Sequence, residues 1–414
     1  MKVIDFKNAS CKHCYKCVRS CSVKAIKVKD AQATIMDDHC VLCGTCLEVC
    51  PQNAKTFVSD LEKVRAFITM GEKTIVSLAP AYLGIFDYDK PGQVVDALLR
   101  LGFSEVRETA EGAAYVTEAY TRLLAEGQMK NIISTCCPSV NELVEKYYPE
   151  LVEYMAPVVS PMIAHGKLIK SMHGLDVKVV FVGPCIAKKQ EAEGDDRTTG
   201  FVDAVLNFEE IESWLQERDI SIRKCEEKQP ANPDPKVNRL YPVTSGVISS
   251  VLAKKKVDSY KKIFVDGIED CREVFEDMKK GLIENCFIEA NMCEGGCVKG
   301  PAVNKLHISK YKATMVIEEQ VEKQDPAYPK LAGNIDINKH FRSERIQDEM
   351  PTEEQITRIL KATGKYNKTQ ELNCGACGYP TCRDKAIAVF QGKAEQEMCL
   401  PHVYEKARSM SNVG

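Results

Sequence analysis

The chain has 414 residues and a hydrophobic content of 44%, enough for two or three domains with buried cores. Its formal net charge of -3 argues against a nucleic-acid partner. The N-terminus lacks the apolar core of a signal peptide, and the longest apolar stretch, residues 74–86, is interrupted by Pro80 and too short to span a bilayer. We therefore expect a cytoplasmic protein without a membrane span.

Cysteine spacing is the most informative feature of this sequence. Sixteen of the 20 cysteines fall into four clusters, and the others are Cys136, Cys225, Cys271 and Cys286. The last three lie in no motif and are expected to be structural. Because cytoplasmic thiols stay reduced, Cys-x-x-Cys spacing there indicates metal or redox chemistry rather than disulfides.

The first two clusters form an internal repeat of Cys-x2-Cys-x2-Cys-x3-Cys. Three cysteines of such a run wrap one iron–sulfur cluster, and the fourth ligates the other cluster. The repeat therefore predicts two [4Fe–4S] clusters, the first held by Cys11, Cys14, Cys17 and Cys50 and the second by Cys40, Cys43, Cys46 and Cys21. A zinc module is the alternative, but zinc sites of this kind are built from separated cysteine pairs.

Strands and helices are predicted to alternate after this repeat. A short strand at 33–36 and a helix at 61–70 are followed by strands at 74–78, 131–134, 177–182 and 262–265, with helices at 92–101 and 112–124. This alternation predicts an α/β fold with parallel sheets, in which ligands lie beyond the carboxyl ends of the strands. Cys137 and Cys185 both follow a predicted strand closely, as ligands at that edge would.

The C-terminal part is predicted to be a separate module. Residues 323–350 are polar and contain prolines, which indicates a linker, and residues 351–355 have the capping-box pattern of a helix start. A helix at 383–398 would carry the last cysteine at its end. The cysteines of this module are Cys374, Cys377, Cys382 and Cys399. A third [4Fe–4S] cluster is favoured, with a zinc knuckle as the alternative; the segment resembles small cluster-binding domains of electron-transfer and corrinoid-linked redox proteins.

Three short motifs contain the remaining cysteine cluster. They are residues 134–138, residues 183–185 with Lys188 following, and residues 289–301. In this order, and behind a two-cluster domain, they resemble the three signatures of the [FeFe]-hydrogenase catalytic domain. The resemblance covers residues 1–320. It implies an α/β chain in three parts: a bacterial-ferredoxin domain at 1–58, a two-lobed domain at 72–325 with the H-cluster between its lobes, and a small iron–sulfur module at 366–414.

The resemblance also implies a ligand set. The cubane of the H-cluster would be held by Cys137, Cys185, Cys293 and Cys297. Cys297 would also bridge to a diiron subsite that bears carbonyl, cyanide and dithiolate ligands. Lys188 would donate to one cyanide, the backbone at Pro80 and Ala81 would contact the other, and Cys136 would pass protons to the subsite. The implied cofactors are three accessory [4Fe–4S] clusters and one H-cluster.

The reaction implied by the family is the reversible conversion of two protons and two electrons into dihydrogen. Electrons would be exchanged with a redox partner such as ferredoxin, or with a signalling protein. Lysines 254–256, 261 and 262 could dock an acidic redox protein, although a solvated surface is the simpler interpretation.

The sequence departs from the family pattern at several positions near the expected subsite. Gly183 and Asn291 stand where the family has methionines, and the glutamates of its proton relay align with Tyr115 and Val116. These departures predict slow turnover and are similar to a divergent, sensory subgroup that carries an extra C-terminal cluster module. The alternative is a hydrogenase-like electron-transfer or assembly protein without a diiron subsite.

Overall fold

The computed structural model describes residues 2–6, 10–256, 258–303, 306, 308–323 and 328–411. The chain divides into two compact units. One contains residues 59–345, and the other joins residues 2–58 to residues 346–414. No helix among the described residues is both long enough and apolar enough to cross a membrane.

Residues 2–58 form two small antiparallel sheets and two short helices. The elements are β1 (Ile4–Phe6), α1 (Lys16–Ser20), β2 (Ile26–Lys29), β3 (Gln32–Ile35), α2 (Thr45–Glu48) and β4 (Lys55–Phe57). Strand β1 pairs with β4, and β2 pairs with β3. The β2–β3 turn has positive φ at both Asp30 and Ala31, which matches the twist of a tight hairpin.

Residues 59–345 contain the parallel sheets. Their elements are α3 (Leu61–Thr69), β5 (Thr74–Leu78), α4 (Tyr82–Ile85), α5 (Gly92–Arg100), β6 (Glu105–Glu108), α6 (Ala110–Glu126), β7 (Ile132–Ile133), α7 (Pro138–Tyr147), α8 (Pro161–His173), β8 (Lys178–Gly183), α9 (Ala187–Lys189), β9 (Ala204–Asn207), α10 (Phe208–Glu217), α11 (Gly246–Lys254), β10 (Lys261–Asp266), α12 (Ile268–Lys279), β11 (Cys286–Asn291) and α13 (Lys310–Glu322). Short helical turns lie at Pro149–Tyr154, Gln190–Gly194, Ile222–Lys224, Lys236–Leu240 and Cys297–Lys299.

Two all-parallel sheets organise this unit, which confirms the predicted α/β class. The first has the strand order β6-β5-β8-β9, and the second has the order β10-β11-β7. Strands β5 and β11 are buried along their whole length, as expected where helices cover both faces of a parallel sheet. The register pairs Leu78 with Val182 and Ile133 with Ile288, so the segments that follow these strands leave each sheet side by side.

The segment predicted as a linker differs from that prediction over residues 328–345. These residues form no regular helix or strand, yet they pack onto the unit: Ile337 is buried, and Asn338 makes an isolated bridge with Val158. Lys339 is also buried, and its ammonium group is paired there with Asp195 at 2.8 Å. This stretch is therefore part of the larger unit rather than a free tether.

Residues 346–411 complete the smaller unit. Their helices are α14 (Glu353–Ala362), α15 (Cys382–Phe390) and α16 (Leu400–Ser411), with helical turns at Lys368–Gln370 and Gln396–Met398. The predicted capping box is present, with Thr352 and Gln355 bonded reciprocally. The predicted helix at 383–398 is wrong beyond Phe390, because Gly392 has φ +67° and the amides of Gly392 and Lys393 bond back to the last turn of α15.

Candidate active site

The three central motifs meet at the carboxyl ends of the parallel strands. Cys136 and Cys137 follow β7, Cys185 follows β8, and Cys293 and Cys297 follow β11. The backbone amide of Met292 lies close enough to the Cys137 thiol to lower its pKa, so the first motif lies near the third. A Cβ atom at Gly300 would lie 2.5 Å from the carbonyl oxygen of Pro184, so the third motif also packs against the second. The fold therefore brings together motifs that lie far apart in the sequence.

The central thiols share one interior environment. Burial raises the pKa of Cys137, raises that of Cys185 to about 11 and raises that of Cys297 further still. The thiols of Cys185 and Cys137 contribute to the shift at Cys297, which indicates that the three groups lie near one another. Each side chain keeps some accessible surface, as expected of groups that line a site. Four soft donors fit an iron–sulfur cubane, whose binding requires them as thiolates.

Lys188 lies beside these thiols. Its ammonium group is 2.7 Å from a carboxylate oxygen of Glu191, and it donates to the carbonyl oxygen of Cys136 at 3.2 Å. Ser160 donates to the same Glu191 oxygen at 2.9 Å. Burial alone would lower the pKa of Lys188, but Glu191 and the thiols of Cys185 and Cys136 outweigh it and raise that pKa. A buried cation is thus held at the edge of the thiol site.

Cys136 contacts a tyrosine that the sequence analysis missed. The hydroxyl of Tyr120 is 3.2 Å from Cys136 Sγ, and it accepts the backbone N–H of Thr135 at 2.8 Å. Burial raises the pKa of Cys136 to about 12, although Tyr120 and Lys188 oppose the shift. Tyr120 lies four residues after Val116 on α6, so the helical period would have indicated it. The nearby Tyr115 instead bonds through its hydroxyl to the backbone of Gly333.

Pro80 and Ala81 are buried at the same edge of the first sheet. The preceding Ala79 donates its N–H to the carbonyl oxygen of Val182 at 2.8 Å. A Cβ atom at Gly183 would lie 2.6 Å from the ring of Phe181 and 2.9 Å from Cβ of Ala79. The aromatic ring of Phe181 thus occupies the space that a side chain at position 183 would need.

In the N-terminal segment, Cys21 lies with the second cysteine run. The thiols of Cys43, Cys40 and Cys21 add to the effect of burial in raising the pKa of Cys46. Burial also raises the pKa of Cys21 to about 11, and Cys43 contributes. In such a repeat, the fourth cysteine of the first run is expected to ligate the second cluster, and Cys21 is that cysteine. The backbone N–H of Ala25 donates to Cys21 Sγ at 3.3 Å, as is suitable for a thiolate ligand.

The C-terminal cysteines line a cavity of about 480 Å³. All four of them border it, together with Lys365 and Lys385. The ammonium group of Lys365 is 3.2 Å from Cys399 Sγ. Burial lowers the pKa of Lys385, while Cys399 and Cys377 oppose that shift. Thiols and cations around one partly open cavity form a site suited to an anionic cluster.

Three family models match separate parts of the chain. The model of the iron-only hydrogenase large subunit, C-terminal domain, matches residues 72–301. A 4Fe-4S dicluster domain matches residues 10–54, and the family FeS matches residues 370–401. The first match covers the convergent motifs, and the other two cover the terminal cysteine sets.

The chain is also similar to individual hydrogenases. It is 27% identical to iron hydrogenase 1 of Clostridium pasteurianum over 69% of this chain and 68% of that protein. It is 24% identical to the NADP-reducing hydrogenase subunit HndD of Solidesulfovibrio fructosivorans over 65% of this chain and 56% of that subunit. The chain therefore spans between about half and about two thirds of the length of these relatives.

Solved structures show the same fold. A variant of the [FeFe]-hydrogenase HydA1 from Chlamydomonas reinhardtii aligns with a TM-score of 0.55 and 16% identity over 70% of this chain and 100% of that chain. The HydA(deltaEFG) structure, which concerns stepwise H-cluster assembly, aligns with a TM-score of 0.52 and 18% identity over 63% of this chain and 88% of that chain. With its three motifs gathered at the strand ends inside the matched region, this chain belongs to the iron-only, or [FeFe], hydrogenase family.

Proposed function

We propose that this protein is an [FeFe]-hydrogenase that interconverts dihydrogen with two protons and two electrons. The observation that carries the proposal is that the segments holding Cys137, Cys185 and Cys297 lie at the carboxyl ends of the parallel strands, next to the cation of Lys188. Cys293 would complete the ligand set of the cubane, because it lies four residues before Cys297. When bound, the H-cluster would supply heterolytic cleavage and formation of dihydrogen.

The residues around the site have separate proposed roles. Cys297 would tether the diiron subsite, and Lys188 would donate hydrogen bonds to one of its cyanides, with Glu191 fixing the ammonium group. The buried backbone at Pro80 and Ala81 would contact the other cyanide. Cys136 would exchange the proton, and its half-buried thiol lies 3.2 Å from the Tyr120 hydroxyl.

We further propose that this protein turns over dihydrogen slowly and acts as a dihydrogen sensor. General acid–base groups within reach of the reacting proton commonly contribute about 10²–10⁴-fold to a rate. The relay positions hold Tyr115 and Val116 rather than carboxylates, and the Tyr115 hydroxyl is engaged by Gly333. Asn291 and Gly183 replace methionines, which makes the pocket more polar and reshapes it around Phe181.

Three accessory [4Fe–4S] clusters would carry electrons between the H-cluster and a partner. The proposed partner is ferredoxin or a signalling protein that responds to the redox state of the clusters. The smaller unit would hold these clusters, since it contains the N-terminal and the C-terminal cysteine sets.

Infrared spectroscopy tests whether the H-cluster is present. Fully maturated protein should show bands of iron-bound carbonyl and cyanide that respond to dihydrogen. Absence of these bands from protein that was co-produced with active maturases would favour the alternative, an electron-transfer or assembly protein that holds only cubanes.

Turnover separates the sensory proposal from a metabolic one. Dihydrogen oxidation and evolution should be measured with an artificial electron mediator, in parallel with maturated iron hydrogenase 1. We expect rates at least about 100-fold lower for this protein, from the acid–base contribution that the relay would supply. Equal rates would overturn the sensory part and leave a metabolic hydrogenase.

A further inference from the structure

The C-terminal module and the ferredoxin-like segment share one hydrophobic core. Val18, Ile26 and Val28 of the N-terminal segment pack with Tyr379 and Met398 of the C-terminal segment. The sharing extends to the backbone, because the N–H of Val28 donates to the carbonyl oxygen of Lys393 at 2.9 Å. Segments more than 300 residues apart in the sequence therefore form one folded body.

The contact is closest beside the cysteines. A Cβ atom at Gly378 would lie 2.9 Å from the side chain of Val18 and 3.2 Å from the amide nitrogen of Arg19. Gly378 has φ +95°, so glycine satisfies both the backbone conformation and the close approach. Gly378 directly follows Cys377, while Val18 and Arg19 lie between Cys17 and Cys21 on α1.

Tyr379 lies between the two cysteine sets. Its ring is almost fully buried, and its hydroxyl has no hydrogen-bond partner among the described residues. Burial raises its pKa, and Cys377 and Cys21 add to that shift. Tyr379 packs in one hydrophobic cluster with both cysteines, so a ligand of the proposed C-terminal cluster and a ligand of the N-terminal one belong to the same core.

Lys365 directs a positive charge at the C-terminal site. Its ammonium group donates to Cys399 Sγ at 3.2 Å and is fixed by the carbonyl oxygen of Thr363 at 2.8 Å. The side chain is only 8% exposed, so solvent screens its charge weakly. Net charge and hydrogen bonds to the ligand sulfurs set the potential of an iron–sulfur cluster, and a cation favours the reduced, more negative form.

We propose that the C-terminal cluster accepts electrons from the N-terminal cluster that Cys21 helps to hold, and that Lys365 raises the reduction potential of the acceptor. In this step the N-terminal cluster loses one electron and the C-terminal cluster gains it. No proton is transferred, and no covalent bond is formed or broken. The module is then the terminal electron site of the smaller unit. The proposal rests on the proposed function for cluster occupancy only, and not for dihydrogen chemistry.

The first experiment is a redox titration of the full, cluster-loaded chain, followed by electron paramagnetic resonance. Cys399→Ser identifies the C-terminal signal by removing it. At the potential where this cluster is half reduced in the native protein, Lys365→Met should lower its reduced-to-oxidised ratio about tenfold, which corresponds to about 59 mV for a one-electron couple. Lys365→Arg, which keeps a charged donor, should retain most of the native ratio.

The matched control is Lys361→Met, which removes an exposed lysine of helix α14, four residues before Lys365. It should leave the ratio unchanged. An unchanged ratio in Lys365→Met, or an equal change in Lys361→Met, would overturn the role of Lys365.

The second experiment tests the electron contact. In fully reduced protein, magnetic interaction between neighbouring clusters should broaden the N-terminal signal, and Cys399→Ser should remove this broadening while the N-terminal signal itself persists. A signal of identical shape with and without the C-terminal cluster would overturn the proposal. Both experiments use protein without the diiron subsite, so missing carbonyl and cyanide bands would count against the proposed function and leave this inference standing.

Discussion

The hydroxyl of Tyr120 lies 3.2 Å from the sulfur of Cys136; the tyrosine is fully buried and the cysteine is half-buried. Tyr120 comes from the long helix α6, whereas Cys136 follows the two-residue strand β7. The backbone N–H of Thr135 holds the tyrosine hydroxyl in place at 2.8 Å. A neutral hydroxyl therefore stands next to the thiol that is proposed to exchange the proton.

Tyr120→Phe should slow dihydrogen evolution about five- to tenfold in maturated protein, because a buried hydrogen bond to the exchanging thiol is lost. The infrared bands should stay, since no ligand of the cubane is altered. The control is Tyr115→Phe on the same helix, whose hydroxyl bonds to Gly333 instead. Equal rates for the native protein and Tyr120→Phe would show that this hydroxyl does not serve Cys136.

Cys297→Ser should abolish the carbonyl and cyanide bands, because this thiolate is the proposed tether of the diiron subsite. The paramagnetic signals of the N-terminal clusters should survive, since their ligands lie in residues 11–50. Cys225→Ser is the matched control: Cys225 is a buried cysteine that the sequence places in no motif. If Cys297→Ser kept its bands and its turnover, the ligand assignment of the third motif would be wrong.

Much of the site follows from the sequence because parallel sheets place successive strand ends together. The strand predicted at 74–78 is β5 as observed, and Cys137 and Cys185, which follow predicted strands, lie near each other. Local pattern cannot reveal a partner whose register depends on the packing of distant elements. Tyr120 is such a residue, because its contact with Cys136 depends on how α6 lies against β7.

The contacts of the terminal segments likewise could not be predicted from local sequence pattern. The sequence indicates a cluster module at each end, but the core that joins Val18 to Tyr379 is set by tertiary packing. The polar residues 328–345 were likewise interpreted as a linker, since the burial of Ile337 and the ion pair of Lys339 depend on surfaces that sequence pattern does not show. The end of α15 could have been predicted, because glycine commonly ends helices in the way that Gly392 does here. The helix was nevertheless predicted to continue to residue 398.

Iron content should reach about 16 atoms per chain after reconstitution of four cubanes, and about 18 after full maturation. Cys399→Ser should reduce the reconstituted value by about 4, while Cys225→Ser, a buried cysteine outside the clusters, should leave it unchanged. Iron and acid-labile sulfide assays measure both. Native protein that saturates near half of the expected iron would show that some of the cysteine sets hold no cubane.

Because of Glu289, the free energy of unfolding is expected to fall as the pH rises towards and through neutrality. This fully buried residue of β11 accepts the N–H of Ile248 at 2.8 Å, yet burial dominates and raises its pKa from the ordinary 4.5 to about 7. Between these values the folded protein keeps a proton that the unfolded chain releases, so stability present at low pH is lost as pH approaches and passes 7. From pH 6 to pH 8 the loss should be about 1 kcal/mol, or about 1–2 °C in Tm. Glu289→Gln should abolish this difference, whereas Glu269→Gln at an exposed position should keep it. Thermal unfolding of anaerobic, cluster-loaded protein at both pH values measures the effect, and an equal decline in the native protein and Glu289→Gln would assign the pH dependence to another group.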